Sequence, residues 1–280
     1  MQRARSVIKG IAHTTLGHSR ANTLNQRVLD ANSFLSYTGD TRGRRSASRL
    51  RLLKDRYDGR RCFIIGNGPS LRGMDLALLR FETTFGLNRA YLMFEKLGFP
   101  TTFLVAVNQL VIEQSGQEIL AAPVDDVFLA WSARKAIGGS SRPILVRSLA
   151  RPGFSTDASR GVWEGATVTF VAMQLAYYFG FRDVVLIGVD HSFASAGRPH
   201  QVVTSNGPDA NHFDPGYFGP GYRWQLPDLE TSEVAYRMAM RAFEAVGGTI
   251  RDATVGGKLE VFPKVEFHSL FVDARRTHGG

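Results

Sequence analysis

The sequence of 280 residues contains a single cysteine, Cys62. One cysteine excludes an intramolecular disulfide, and its place within an apolar run favours inert packing in a reducing compartment over a catalytic thiol. Long apolar runs are missing too. No stretch approaches the ~18 to 20 residues that span a bilayer, and the N-terminus lacks the apolar core of a signal peptide. We therefore expect a cytoplasmic protein, soluble or peripheral at the inner face of the membrane.

Several motifs of phosphate and metal chemistry are also absent. The chain has no GxxxxGK[ST] loop and no Asp-x-Asp pair, which are common ways of holding nucleotide phosphates and their metal ions. No Cys and His spacing resembles a zinc site, and a trio of His191, His200 and His212 is a poor candidate for one. The sequence therefore predicts no metal site.

Acidic residues are scarce at the start of the chain. Residues 1–61 carry 14 Lys and Arg against four Asp, whereas the rest carries 20 basic and 21 acidic residues, so the net charge of +9 comes from this end. Such an arm could bind an anionic membrane surface, where each basic group contributes about 1 kcal/mol to the binding free energy. Alternatively, it is a solvated leader without a partner. A nucleic-acid partner is not expected, because no binding motif or interleaved aromatic residues accompany the arginines.

The remaining composition, with 44% hydrophobic residues, is that of a globular chain with a sizeable core. Gly39, Gly43 and Ser46 indicate a flexible stretch, so we divide the chain into a basic, partly flexible arm (1–46), a catalytic domain (47–274) and a tail (275–280). Alternating elements predict an α/β fold, Rossmann-like and doubly wound, with a mainly parallel sheet and helices on both faces. The predicted strands are 62–65, 83–87, 101–106, 126–130, 144–147, 184–189 and 249–253, and the predicted helices are 47–57, 73–80, 90–97, 109–121, 167–178 and 227–246.

The segment RCFIIGNGPSL at 61–71 joins a short buried strand to a glycine turn. Gly66 and Gly68 let the backbone turn tightly and approach a ligand, while the amide of Asn67 can donate and accept hydrogen bonds. Pro69 and Ser70 suit the first turn of a helix whose free N–H groups favour an anion. The pattern predicts a nucleotide site, although an ordinary βα turn can also carry two glycines.

Other polar residues follow later strands or begin a helix. Asp190 ends an apolar strand, where it could accept from a ribose or substrate hydroxyl, coordinate a metal or cap the next turn. Gly165 and Thr167 begin an apolar helix, whose N-terminus we expect at the ligand-binding edge of the sheet. The remaining predicted nucleotide-binding residues are Asn88, Asn108 and Gly188.

A loop over 206–224, crowded with Gly, Pro and aromatic residues, is too long for an ordinary connection and predicts a lid or binding loop. We expect His212 to be the general base, since imidazole titrates near neutral pH, although a lone loop histidine is often structural. The predicted substrate or phosphate contacts are His191, Tyr217, Tyr222 and Trp224, of which the aromatic rings could also stack on a sugar or base.

These motifs also carry a family resemblance. GNGPSL followed by DLALLR, a strand ending in Asn88 and a later strand ending in GVDHSF resemble the bacterial domain labelled 6-hydroxymethylpterin diphosphokinase MptE-like, over about 57–271. The same order of motifs is similar to the CMP-sialic acid-dependent sialyltransferases of bacteria. That family places two tyrosines shortly after the later strand to hold the donor phosphate. Here no tyrosine follows before Tyr217, which argues against CMP-sialic acid as the donor.

Three functions remain open. In the first, the protein is a glycosyltransferase that needs no cofactor and moves a sugar from a nucleotide sugar, CMP-linked donors included, to a glycan or small-molecule acceptor. In the second, implied by the MptE-like resemblance, it is a Mg²⁺-dependent diphosphokinase that transfers diphosphate from ATP to a hydroxymethylpterin-like alcohol. In the third, it is a non-catalytic module that binds a nucleotide or glycan. The shortage of metal ligands favours the first.

Overall fold

The computed structural model describes residues 23–194 and 197–271; the predicted tail lies outside them. Its first elements are two helices, α1 (23–39) and α2 (Thr41–Leu53). Asp40 separates them and caps α2, because its carboxylate accepts a hydrogen bond of 2.8 Å from Arg42 N. One face of α2 then packs against the edge of the central sheet.

That sheet has seven parallel strands in the order β5-β4-β3-β2-β1-β6-β9. Strands covered on both faces read as continuous apolar runs, which is why RCFII and DVVLI form its centre. The predicted Rossmann-like α/β fold with a mainly parallel sheet is confirmed. The strands are β1 (Arg61–Ile65), β2 (Thr84–Leu87), β3 (Phe103–Ala106), β4 (Asp126–Ala130), β5 (Ile144–Val146), β6 (Asp183–Ile187) and β9 (Thr249–Asp252).

Four further helices and a small ribbon complete the described part of the chain. The most apolar helix, α5 (Val168–Tyr178), packs across β1, β2 and β3. It buries Phe170, Met173 and Leu175 completely, so this helix contributes core rather than site residues beyond its first turn. The other elements are α3 (Phe94–Leu97), α4 (Gln109–Ala121), α6 (Leu229–Glu244) and an antiparallel pair, β7 (Val202–Thr204) with β8 (Arg223–Gln225).

The order of the strands fixes where a ligand can bind. Successive strands run outward from β1 to β5 on one side, and β6 then returns to pair with the other side of β1. Loops at the carboxyl ends of β1 and β6 therefore leave the sheet in opposite directions and open a crevice between them. This is the edge at which the glycine turn after β1 lies.

Two sequence expectations differ from the structure. The boundary at residue 46 falls inside α2, and the described part of the arm packs on the domain: Tyr37 is buried, and its hydroxyl donates to Leu145 O at 2.9 Å. The helix expected over 73–80 is replaced by two short 3₁₀ turns, Pro69–Gly73 and Leu76–Leu79, because Asp75 caps a second turn by accepting from Ala77 N. Among the described residues, no helix combines the length and apolar character needed to cross a membrane.

Candidate functional site

A cavity of about 620 Å³ opens at the carboxyl edge of the sheet. Its size is within the range of small-ligand sites, roughly 300 to 1,000 Å³. Residues that follow β1, β2, β3, β5 and β6 line it, together with the start of α5 and the loop before α6. Most of the sequence-predicted site residues are brought together here: Gly66, Asn67, Gly68, Asn88, Asn108, Gly165, Thr167, Gly188, Asp190, His191, His212 and Trp224.

The turn after β1 is packed against the turn after β6. Gly66 N donates to Ile187 O at 2.8 Å, and Gly68 N donates to Gly188 O at 2.9 Å. A Cβ atom at Gly66 would collide with the backbone of Gly188, and one at Gly68 would collide with the carboxylate of Asp190. The two glycines are therefore needed for the close approach of two chain segments, in addition to any approach to a ligand.

Asn67 and Asn88 each present a buried amide oxygen that has no hydrogen-bond partner among the described residues. The orientation of Asn67 is fixed because its Nδ2 donates to Leu87 O, at the end of β2, at 3.1 Å. Asn88 follows that same strand and has a φ of +50°. Buried acceptors without partners are costly, about 1 to 3 kcal/mol each, so they are uncommon in folded proteins. Both residues line the cavity.

Asp190 lies at the end of β6, as the sequence predicts, but its carboxylate is already engaged. Oδ1 accepts from Ser70 N at 3.1 Å, and Oδ2 accepts from Ser70 Oγ at 2.7 Å. Ser70 N is one of the N–H groups expected from the sequence to bind an anionic ligand. In the structure it donates to a carboxylate of the protein instead. Pro69 and Ser70 do not line the cavity, and the pair Asp190 and Ser70 joins the loops after β6 and β1.

His212 is oriented by a buried carboxylate that the sequence analysis did not select. Its Nδ1 lies 2.7 Å from Oδ2 of Asp209, whose side chain is 3% exposed. Burial raises the pKa of Asp209, but hydrogen bonds from His212, Asn211 N and Phe218 N, with the charge of His212, outweigh it and lower the pKa below its usual range. With Nδ1 directed at Asp209, the Nε2 atom is the one left for a substrate.

The loop that carries His212 is fixed to the turn after β1. Phe213 N donates to Asn67 O at 2.8 Å, while Arg72 donates from Nη2 to His212 O at 2.7 Å and from Nε to Phe213 O at 2.9 Å. The backbone of this part of the loop is thus in contact with the asparagine that presents an unpartnered oxygen. The loop that carries the predicted base is therefore held against the predicted nucleotide turn.

Tyr217 and Tyr222, predicted to contact substrate or phosphate, lie outside the cavity lining. The side chain of Tyr217 is completely buried, stacks on His212 at 4.0 Å between ring centroids and accepts from Arg89 N at 3.3 Å. Tyr222 shares a hydrogen bond of 3.1 Å with Ser115 Oγ and stacks on Phe218. Both rings pack inside the loop and do not line the cavity. Burying their apolar faces in this small aromatic core is more favourable than exposing them to solvent.

Trp224 does line the cavity, although it is 8% exposed and stacks on Phe218 at 5.5 Å. His191 also lines it, and its Nε2 lies 3.2 Å from Oε1 of Glu233 on α6. In a second pair, Nε2 of His200 lies 3.2 Å from Oδ2 of Asp228, the N-cap residue of α6. The two pairs connect the segment after β6 to the start of α6.

The start of α5 forms another wall. Gly165 has a φ of +56°, and a side chain there would collide with Ala235 and Phe170, so the glycine is required. Thr167 caps the helix by accepting from Thr169 N at 3.3 Å, and its hydroxyl shares a hydrogen bond of 3.3 Å with Tyr236. Thr167 and the N-terminal turn of α5 thus line the cavity.

Glu164, immediately before this turn, is a second ionisable residue that the sequence analysis missed. Its Oε1 accepts a short hydrogen bond from Ser148 Oγ, which follows β5. Burial raises the pKa of Glu164, and the bond from Ser148 offsets this only in part. The only sequence signal was its place next to Gly165, because the partner Ser148 is 16 residues away.

The electrostatic character of the cavity differs from that of the chain. Among the described residues that line it, none is Lys or Arg, whereas Glu164, Asp190 and Asp228 are acidic and three are histidines. The same described ranges contain no group of three or more His, Cys, Asp or Glu side chains placed to hold a metal ion. The polar side chains of the lining are therefore hydroxyls, amides, imidazoles and carboxylates.

Comparisons with known proteins show structural similarity to a larger protein but no family. No family model matches the chain, and no curated protein matches it. Among solved structures, the chain is similar to the MAf glycosyltransferase from Magnetospirillum magneticum AMB-1, with 16% sequence identity and a TM-score of 0.46. The match covers 80% of this chain and 38% of that chain, so the present sequence spans well under half the length of the larger protein.

Proposed function

We propose that the protein is a glycosyltransferase that moves a sugar from a nucleotide sugar to the hydroxyl of a glycan acceptor. The observation that carries the proposal is the pair of unpartnered amide oxygens on Asn67 and Asn88, at the ends of adjacent strands. A ribose offers two neighbouring hydroxyl donors, which match two acceptors on adjacent strands. The nucleoside of the donor is therefore assigned to this end of the cavity.

The phosphate of the donor is assigned to the N-terminal turn of α5, near Thr167. Backbone N–H groups and the helix dipole favour an anion there. Since no Lys or Arg side chain is present among the described lining residues, the site is better matched to the single charge of a phosphodiester than to the ~4 charges of a triphosphate. This supports a nucleotide-sugar donor over ATP.

His212 is the general base of the proposed reaction. Its Nε2 removes the proton of the acceptor hydroxyl as that oxygen bonds to the anomeric carbon of the donor sugar. The bond between this carbon and the phosphate oxygen breaks, and the departing nucleoside monophosphate keeps the electron pair. Asp209 holds Nδ1 and stabilises the imidazolium that forms. Asp190 acts indirectly, by holding Ser70 and the turn after β1 in place.

Nucleotide binding tests the proposal directly. Isothermal titration of the purified protein with CMP, UMP and ATP, each with and without Mg²⁺, should show binding of a nucleoside monophosphate that Mg²⁺ does not enhance. Asn67→Ala should weaken it, whereas Asn32→Ala, an exposed asparagine on α1, should not. Binding of ATP alone, and only with Mg²⁺, would favour the diphosphokinase and overturn the proposal.

Transfer activity provides a second test of the proposed function. A glycosyltransferase with this mechanism should retain most of its turnover in EDTA, because protein groups stabilise the leaving phosphate. A diphosphokinase should stop, because transfer from ATP leaves developing charge uncompensated without its metal. Loss of all sugar transfer on chelation, restored by Mg²⁺, would contradict the proposed mechanism.

A further inference from the structure

Among the described residues that line the cavity, Glu164 is the acidic residue whose carboxylate the protein leaves partly open. Asp190 is bonded through both oxygens to Ser70, and Asp228 caps α6 by accepting from Thr231 N and also contacts His200. Glu164 has one bond, from Ser148 Oγ to Oε1. Among the described residues, Oε2 has neither a hydrogen-bond donor nor a cation, so it remains available to a ligand.

The carboxylate of Glu164 is held at a different strand from the residues assigned to the nucleoside. Ser148 follows β5, the edge strand, whereas Asn67 follows β1, and β4, β3 and β2 lie between them. A single cavity joins the two ends. A nucleoside held by Asn67 therefore leaves the part of the cavity beside Glu164 for the remainder of the substrate.

The residue before Glu164 in the chain is aromatic. Trp163 lines the same cavity, and its ring meets Phe170 edge to face at 5.8 Å. Phe170 is completely buried in α5, so the indole is supported from behind. An aromatic face beside a hydrogen-bond acceptor is suited to a sugar ring, which presents C–H groups on one face and hydroxyls at its edge.

We propose that Glu164, Ser148 and Trp163 form a subsite for a neutral, hydroxyl-bearing sugar ring. The inference rests on the proposed function and deepens it, because it names the class of sugar. Glu164 accepts hydrogen bonds from ring hydroxyls, and Trp163 packs against the ring. A sugar that carries its own carboxylate would meet Glu164 as a like charge, and no Lys or Arg among the described lining residues would compensate. The subsite thus disfavours the acidic sugar that the sialyltransferase resemblance implies.

A matched pair of ligands tests the subsite. UDP-glucose and UDP-glucuronate differ only in a hydroxymethyl group and a carboxylate, and their dissociation constants can be measured by isothermal titration beside those of CMP and UMP. Wild type should bind UDP-glucose more tightly than UDP-glucuronate by about tenfold or more, whereas Glu164→Gln should reduce this ratio to within about twofold. Affinity for the nucleotides alone should not change. Glu95→Gln, an exposed carboxylate outside the cavity lining, is the control for net charge.

The outcomes separate this inference from the proposed function. Absence of binding by every nucleotide would overturn both. A wild-type preference for the acidic sugar, or nucleotide binding in which Glu164→Gln changes neither the ratio of the two UDP-sugar affinities nor the affinity for methyl glucoside, would overturn the subsite alone. Titration with methyl glucoside in the presence of UMP identifies the source of the ring. If Glu164→Gln weakens only this binding, the subsite stands and holds the acceptor sugar.

Discussion

Nδ1 of His212 lies 2.7 Å from Oδ2 of Asp209, a carboxylate that also accepts hydrogen bonds from Asn211 N and Phe218 N. Three donors converge on one buried side chain. This arrangement fixes the imidazole ring and leaves its Nε2 atom for chemistry, so His212 and Asp209 should act as a unit in turnover.

We expect His212→Ala to lower turnover by roughly 10² to 10⁴, the scale of losing one general base. Asp209→Asn should lower it by about 10² or more, because the neutral amide no longer stabilises the imidazolium. Steady-state transfer assays measure both, with nucleotide affinity by titration expected to stay within about twofold of wild type. His268→Ala removes a comparable surface pair with Glu266 and should be silent. Wild-type turnover in His212→Ala would eliminate the proposed base.

The unpartnered oxygens of Asn67 and Asn88 should determine the preference for ribonucleotides. Asn67→Ala should weaken CMP binding by about tenfold, the value of one hydrogen bond, and should leave dCMP nearly unaffected. Asn88→Gly is the better variant at the second position, since φ is +50° there and glycine keeps that conformation. Calorimetric titration of each variant with both nucleotides tests this. An unchanged ratio of CMP to dCMP affinity in both variants would place the ribose elsewhere.

Gly68 and Asp190 should be coupled in stability. A Cβ atom at Gly68 would collide with the Asp190 carboxylate, so Gly68→Ala should reduce the free energy of unfolding by about 1 to 3 kcal/mol. Asp190→Ala alone should also destabilise the protein, because Ser70 loses two acceptors. In the double variant the collision is relieved, and urea unfolding should show less destabilisation than the sum of the single changes. Strict additivity would show that the loops relax independently.

Asp209 and Glu164 should make opposite contributions to stability at acid pH. The folded-state pKa of Asp209 is depressed, so its contribution is present above the ordinary value of 3.8 and is lost as pH falls through the lower folded pKa. The destabilisation caused by Asp209→Asn should therefore shrink between pH 5 and pH 2. The pKa of Glu164 is raised, so stability decreases as pH rises from 4.5 through the folded pKa, and Glu164→Gln should remove this decrease. Urea unfolding from pH 2 to pH 5 tests Asp209, and unfolding at pH values from 4.5 upward tests Glu164. Parallel wild-type and variant curves would contradict the assignments.

The basic end of the chain gives a prediction about membranes. We propose that residues 1–22, with four basic and no acidic residues, strengthen binding to anionic vesicles. Their deletion should weaken cosedimentation with phosphatidylserine vesicles and reduce its dependence on salt. Deletion of 1–45 should instead destabilise the fold, since it removes Tyr37 and its hydrogen bond to Leu145 O. Equal vesicle binding by wild type and the shorter deletion would exclude this role.

The sequence by itself determined the sheet, and most of the site residues predicted from it line the cavity. Continuous apolar runs such as RCFII are specific to strands covered on both faces, and the glycine turn after β1 is a local signal. Asn67, Asn88 and His212 were predicted because each follows such a signal or stands in an unusual loop. Local patterns were enough here, since the carboxyl ends of parallel strands must meet at one edge.

Only the tertiary structure decided what those residues do. Ser70 and Asp190 are 120 residues apart, and their hydrogen bonds turn an expected anion donor and a candidate catalytic acid into a connection between two loops. Tyr217 reads as a ligand contact in sequence, yet it is buried behind His212. Glu164 became notable only through its burial and the distant Ser148. Burial, long-range hydrogen bonds and the absence of a counter-ion depend on which segments meet in space, and no local pattern of residue types encodes them.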